Sequence, residues 1–327
     1  MKRFSVAIAM AFSLVFMVSG IAQAKVFQLG HVTAENADSN YQYFGLEFAK
    51  KVKEYTKGGI EIQVIGSGQL GGERDMIEGM QIGTIDMAIV GNFILGAFVP
   101  QTMVFDLPYV LPNYDIAMKA LDDPNVIGRV NKALEGINVI PIAWGHGGFR
   151  HVFNSVRPIQ NLSDLKGLKI RVPENPIYMS TFKALGANAT PMAWGEVFTG
   201  LQQKTIDGAE NAVSYILNER FYEASKYVSL TRHFFSPVPL IVSRQAWESL
   251  KPEEQEALAR AAREAALLER DFARNNEKTI LEELVKNGVA INDDVNIEEF
   301  RGAVKSVHDS YKDRIGAELM QAILSLQ

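Results

Sequence analysis

Between Pro252 and Lys286 the chain runs without a glycine and without a second proline. Leu258, Ala261, Ala265, Leu268 and Phe272 recur at alternating intervals of three and four, and Ile280 and Leu284 continue the stripe. That spacing predicts one long amphipathic helix. Pro252 stands where a first turn needs no N–H, Glu253 and Glu254 suit the positive end of the helix, and Gly288 is a normal stop. A helix of roughly 30 residues is about 45 Å long. One small lobe is shorter than that, so the rest of the chain must supply two bodies for the helix to lie against.

The preceding chain alternates strand and helix. Val26–Gly30 reads as a strand, and Tyr41–Tyr55 as a helix with Phe44, Phe48 and Val52 on one face. Ile60–Ile65 is a strand, about Glu73–Gln81 a helix closed by Gly83, and Asp86–Val90 a strand. This βαβαβ order predicts an α/β fold with a parallel sheet and helical crossovers. Ile137–Trp144, Leu168–Val172 and Leu240–Ser243 read as further strands, with helices at Leu162–Leu165, Ile177–Leu185 and Trp194–Gln203. There is no internal repeat and no low-complexity tract.

The first 24 residues read as an address. Lys2 and Arg3 precede an uncharged run of 15 residues from Phe4 to Val18, and Ala22-Gln23-Ala24 is an A-x-A cleavage site. This is the pattern of a secretory signal peptide, and the run is short of the ~20 residues that span a bilayer. Cleavage after Ala24 turns 327 residues into 303 and, by removing Lys2 and Arg3, turns a net charge of −5 into −7. The expected product is a soluble periplasmic protein. At 303 residues it exceeds one core and divides into about two lobes. The acidic balance speaks against a nucleic-acid partner. With no cysteine at all, the chain has no disulfide framework, thiolate metal site, cysteine nucleophile or Cys-linked lipid.

Several motifs invite enzymatic readings. Gly66-Ser67-Gly68-Gln69-Leu70-Gly71 matches a dinucleotide fingerprint between strand and helix, with Asp86 twenty positions after Gly66. Asp86 begins its strand, however, whereas the ribose-binding acid belongs at the far end, so a tight turn is the preferred reading. His146 and His151 are five apart with glycines between them, which does not place two ligands on one helix face. No G-x-S-x-G elbow occurs. Two arginines remain. Gly147-Gly148-Phe149-Arg150 sets one after a strand and a glycine pair, and Leu168–Val172 embeds Arg171 near the end of an apolar strand. Ligands of open α/β sheets bind at the carboxyl ends of strands, and an arginine there grips a carboxylate through two parallel hydrogen bonds. A lone arginine is also a common structural salt bridge, so position alone leaves both readings open.

Longer segments carry a resemblance. Asp164-Leu165-Lys166-Gly167-Leu168-Lys169-Ile170-Arg171-Val172-Pro173, then Ala189-Thr190-Pro191-Met192-Ala193-Trp194-Gly195-Glu196-Val197, Leu201-Gln202 and Ile206-Asp207-Gly208-Ala209-Glu210-Asn211 follow in order. With Gly68–Arg74 and Phe105-Asp106-Leu107-Pro108-Tyr109, they resemble the solute-binding subunit of tripartite ATP-independent periplasmic (TRAP) transporters over essentially the whole mature chain. The resemblance implies a two-lobe periplasmic binding protein of type II-like α/β fold, with a hinge and a long helix spanning both lobes. It implies lobe 1 from 25–148 plus about 237–276, and lobe 2 from 149–236 plus about 277–327.

The resemblance also implies a site. Arg171 pairs with the ligand carboxylate, Arg150 and Asn211 complete the donors, Trp194 packs on the ligand and Glu73 holds hydroxyls. His31, Asn92 and Glu174 align with pocket positions that vary with ligand. The implied partners are a small organic acid and the membrane subunits of a TRAP permease, with no metal, cofactor or catalytic residue, and with the protein a monomer. Glu73 would repel a second ligand carboxylate unless Arg74 or Arg150 met it. A monocarboxylic sugar acid such as a hexuronate (glucuronate or galacturonate) is therefore favoured over a C4-dicarboxylate, with other hydroxy or keto acids open. A secreted enzyme of unknown chemistry and a structural or adhesion role are the readings from other classes.

Overall fold

The computed structural model describes residues 24–327, so the export signal read in residues 1–24 lies, apart from Ala24, outside the described residues. The strands are β1 (Lys25–Gly30), β2 (Ile60–Ile65), β3 (Met87–Ile89), β4 (Val139–Asn154), β5 (Lys169–Val172), β6 (Asn188–Pro191), β7 (Gly208–Asn211), β8 (Tyr227–Ser243) and β9 (Ala290–Asn292). They form one nine-stranded sheet of order β2-β1-β3-β8-β4-β7-β5-β6, with β9 beside β8. Two parallel wings flank an antiparallel centre. β1 runs parallel to β2 and β3, and β5 parallel to β6 and β7. β8 is antiparallel to β3 and β4, as β4 is to β7. The parallel pairing expected from the βαβ order is thus found in the wings and between β8 and β9, but not across the centre, because strand order along a sequence does not specify which strands pair in the middle.

β4 and β8 are 16 and 17 residues long, about three times the usual strand. Sequence reading ended the first at Trp144 and began the second at Leu240, because glycine and proline weaken strand propensity. Here those residues build a bulge. Gly145 faces Val238, His146 faces Pro237, and the register shifts between His146 and Phe149. Gly148 takes φ +94°, and a side chain on Gly147 would fall 2.7 Å from the Tyr215 hydroxyl. Bulges bend strands, so one pair of strands serves both wings. Arg150 accordingly lies inside β4, not after a strand.

The long helix spans Pro252–Lys286, 35 residues, or about 52 Å at 1.5 Å per residue. Leu258, Ala261, Ala262, Ala265 and Ala266 pack with Phe44 and Phe48 of the helix Asn40–Tyr55, whereas Ile280 and Leu284 join a separate core around Phe153 and Phe221. The helix therefore does lie along two bodies. Its inward face differs from the predicted stripe: Leu268 is 38% exposed, and Phe272 stacks flat on Tyr43 at 4.2 Å. Glu269 and Arg270 turn inward instead. Arg270 donates through Nε to the Trp144 carbonyl at 2.8 Å and through Nη1 to Asp122, and Glu269 Oε2 accepts the His146 N–H at 2.9 Å. Polar contacts to β4 set the helix rotation where an apolar count suggested otherwise.

Glu269 is buried and its Oε1 has no partner in the structure. Burial pushes its carboxyl up to about 8. A carboxyl with a higher pKa folded than unfolded stabilises the fold below the unfolded value, and that contribution is lost as pH rises through the folded one. In urea unfolding the contribution of Glu269 should therefore decline as pH rises from about 4.5 to about 8, and be level above that. Glu269→Gln keeps an acceptor for His146 and removes the ionisation, so its decline should be shallower; parallel profiles would remove Glu269 as the cause.

Candidate functional site

The carboxyl ends of the two parallel wings face a common cavity of about 360 Å³. Val32 follows β1, the turn Ser67–Asp75 follows β2, and Phe93 and Ile94 follow β3; Arg171, Pro173 and Glu174 end and follow β5, and Trp194 follows β6. A second cavity of about 20 Å³ adjoins it, lined by Arg150, Asn211, Tyr41 and Tyr215; it has room for about one water. Val32, Glu73, Phe93 and Trp194 line both.

Arg171 is 2% exposed and reaches the larger cavity from inside the sheet. Its Nε and Nη2 donate to the Met192 carbonyl at 2.9 and 2.7 Å. No carboxylate lies in ion-pair contact with it among the described residues, and Nη1 makes no hydrogen bond within them. Burial lowers its pKa to about 10, so the guanidinium stays charged at neutral pH. Trp194 lies beside it, ring centroid 5.7 Å from Cζ. The main-chain carbonyl fixes one edge of the fork and leaves the Nη1 side for an incoming anion. A structural salt bridge is absent from this position.

Arg150 has the opposite fate. It is 1% exposed, its Nε and Nη2 each donate to a Glu210 carboxylate oxygen at 2.6 Å, and Nη2 also donates to the Glu210 carbonyl. The Phe93 and Tyr178 rings, in edge contact with each other, lie 5.3 and 5.4 Å from its Cζ. Burial alone would raise the Glu210 pKa, but Arg150 outweighs it and holds the carboxyl below its ordinary value. His233 Nε2 lies 3.1 Å from the same carboxylate, and burial lowers its pKa. Arg150 is therefore already neutralised, with only Nη1 uncommitted. The Glu210 partner was visible in the sequence segment Ile206–Asn211 but received no role there.

Glu73 opens the helix Glu73–Gln81 and reaches both cavities. Its Oε1 accepts the Gly91 N–H at 2.7 Å, with the Tyr41 hydroxyl at 3.4 Å. Burial raises its carboxyl to about 7, against the lowering effects of Gly91, Arg171 and Arg150. Asn211 Oδ1 accepts the Ala212 N–H at 2.9 Å, so Nδ2 is the group left for the small cavity. Trp194 is half-buried on both walls, and Glu174 stands exposed on the rim of the larger cavity.

Two sequence-predicted residues line neither cavity. His31 is fully buried, with Nε2 2.6 Å from Gln42 Oε1 and Nδ1 3.2 Å from Thr33 Oγ1. Asn92 donates through Nδ2 to the Thr102 carbonyl and to Asp106, both at 2.9 Å. Their neighbours Val32 and Phe93 form the wall instead. Apolar wall residues such as these give no sequence signal that separates them from core. The glycine motif is a turn, with Ser67, Gly68 and Gly71 at positive φ. The Gly66 N–H donates to Glu35 Oε1 at 2.7 Å, which sets a carboxylate where a dinucleotide would need its pyrophosphate. Among the described residues no group of three or more His, Asp or Glu is placed to hold a metal ion.

Fold and cleft together define a two-lobed receptor for a small solute. Residues 29–314 match the family described as bacterial extracellular solute-binding protein, family 7. The 2,3-diketo-L-gulonate-binding periplasmic protein YiaO of Escherichia coli K12 is 31% identical over 315 residues, covering 95% of both chains. A TRAP periplasmic solute-binding protein from Polaromonas sp. JS666, bound to D-erythronate, superposes with a TM-score of 0.88 at 36% identity, covering 92% of this chain and 98% of that one. Another from Chromohalobacter salexigens, with bound D-glucuronate, gives 0.88 at 29% identity, covering 92% and 100%. The chain belongs to this family, the solute-binding proteins of TRAP transporters.

The two arginines should separate in mutation. Arg150→Ala leaves Glu210 buried without its cation, which costs about 3–5 kcal/mol of stability. Arg171→Ala removes two hydrogen bonds to one carbonyl but also a buried charge without an acidic partner, and these effects offset, so the loss should be about 2 kcal/mol or less. Urea unfolding of both variants checks this; equal losses would make Arg171 a scaffold residue.

Proposed function

We propose that this protein captures a monocarboxylic sugar acid in the cleft between its lobes and presents it to a TRAP permease. The observation that carries the reading is Arg171: a buried, charged guanidinium at the cavity wall with no acidic partner, facing Glu73. The ligand carboxylate takes the Nη1 side of Arg171, with Arg150 Nη1 and Asn211 Nδ2 as further donors. Glu73 Oε2 accepts a ligand hydroxyl, and Glu174 serves the mouth. Trp194 gives the C–H face of the sugar an apolar surface. Each charge-assisted bond contributes about 1.5–3 kcal/mol net. Three or four support a micromolar complex, about −8 kcal/mol, after the costs of association.

Glu73 and Glu174 disfavour a second ligand carboxylate, which sets a C4-dicarboxylate behind a sugar acid. The related proteins named for diketogulonate or holding erythronate and glucuronate support the same choice. We place lobe 1 at 25–148 plus about 237–276 and lobe 2 at 149–236 plus about 277–327; the register shift between His146 and Phe149 supports the crossing point in β4. The reading includes export to the periplasm after cleavage at Ala24, a monomeric state and no turnover of the ligand.

A thermal-shift panel of D-glucuronate, D-galacturonate, D-galactonate, D-erythronate, succinate and malate tests the ligand class. An acid at a thousandfold its Kd adds about 4 kcal/mol, or roughly 8 °C for a chain of this size. One or more sugar acids should give this shift and Arg171→Ala should abolish it. A shift with succinate or malate and none with the sugar acids overturns the assignment.

A further inference from the structure

Phe105-Asp106-Leu107-Pro108-Tyr109 has no part in the cleft chemistry described above, yet its acid is 1% exposed. Each Asp106 oxygen accepts a hydrogen bond from a different side of the cavity. Oδ1 takes the Nδ2 of Asn92, at the start of the helix Asn92–Leu95 that follows β3, at 2.9 Å. Oδ2 takes the Nδ2 of Asn175, in the turn after β5, at 2.8 Å. Asn175 Nδ2 also donates to the Phe93 carbonyl at 2.6 Å, while its Oδ1 caps the helix Pro176–Ala184 through Ile177 and Tyr178. Phe93 lines both cavities, and Pro173 and Glu174 line the larger one. Tyr109 anchors the same segment to β8, its N–H donating to the His233 carbonyl at 2.9 Å and its hydroxyl to that of Thr231 at 3.2 Å.

We infer that Asp106 is a positioning residue for ligand capture, clasping the Phe93 wall to the Arg171–Asn175 wall through Asn92 and Asn175. A carboxylate suits this place because it accepts from two amide donors at once. An amide there would set its own NH2 against one of them. Arg150, the cation whose field reaches Asp106, is taken by Glu210, and among the described residues Asp106 forms no ion pair that would make it a charge brace. Arg171 and Asn175 lie four positions apart in one short segment, and a loosened Asn175 lets the Arg171 end of β5 drift relative to Glu73.

The inference rests on this cleft being the ligand site, and its test has one arm that needs no ligand. Asp106→Asn and Asn175→Ser are compared with the wild-type protein by hydrogen–deuterium exchange without ligand, and by dissociation rate and Kd for the best-bound acid of the panel above. Serine keeps an N-cap acceptor for the helix and removes both Nδ2 bonds, so it separates clasp from cap and decides the matter if Asp106→Asn fails to fold. Exchange at residues 92–95 and 175–178 should quicken about tenfold, and Kd should rise about tenfold through the dissociation rate. The ligand-induced rise in Tm should shrink by more than the ligand-free Tm falls. Wild-type exchange in both segments, or quicker exchange with Kd within twofold of wild type, overturns the clasp. A wild type that binds none of the acids overturns the ligand class, and the exchange arm still decides the contact.

Discussion

The ladder between β4 and β8 is the constraint on which the rest depends. β8 joins one wing through β3 and β4 joins the other through β7, so the two bodies share a covalent and hydrogen-bonded spine. An ordinary pair of that length would be a flat, stiff ribbon. The glycines of β4 and the prolines of β8 interrupt it where the wings meet, and register is lost and regained over a few residues. Because parallel strands on each side end toward the same gap, the spine also brings the carboxyl ends of β1, β3, β5 and β6 around one cavity. Position within this sheet, more than local sequence, decides which side chains meet a solute.

Two arginines show how placement converts one chemistry into two roles. Arg150 lies inside the ladder, where β7 delivers Glu210 directly to it, and the pair satisfies itself. Arg171 lies at the end of β5, where the neighbouring chain offers only a main-chain carbonyl. A carbonyl orients a guanidinium without cancelling its charge. The difference in uncancelled charge between the two thus comes from the partner supplied, since both are almost fully buried. Glu73 moderates the field of Arg171, and its own carboxyl, held near neutrality, changes charge under ordinary conditions.

Much of this was legible in the sequence. Helix Pro252–Lys286 and helix Glu73–Gln81 lie where periodicity set them, because continuous helices advertise themselves through spacing. Arg171, Glu73, Trp194, Asn211 and Arg150 all reach a cavity wall. The length of β4 and β8 was not legible, since Gly147, Gly148 and Pro237 look like terminators until a bulge gives them a purpose. Nor was the rotation of the long helix, because Glu269 and Arg270 count as surface residues until β4 offers them main-chain partners. The helices Tyr114–Asp122, Lys305–Ile315 and Ala317–Leu324 went unread, because two or three turns repeat an apolar spacing too few times to stand out. His31 and Asn92 stand one residue away from wall positions, an offset that alignment by motif cannot resolve.

The long helix is fastened to one core by alanine and leucine near its start and to another by Ile280 and Leu284 near its end. Between these anchorages its inward grip consists mainly of Glu269 and Arg270 on the backbone of β4. Any relative rotation of the two bodies would load these two side chains, together with the Phe272–Tyr43 stack, before it reached either core. The helix is a strut clamped at both ends and braced against the sheet between its clamps.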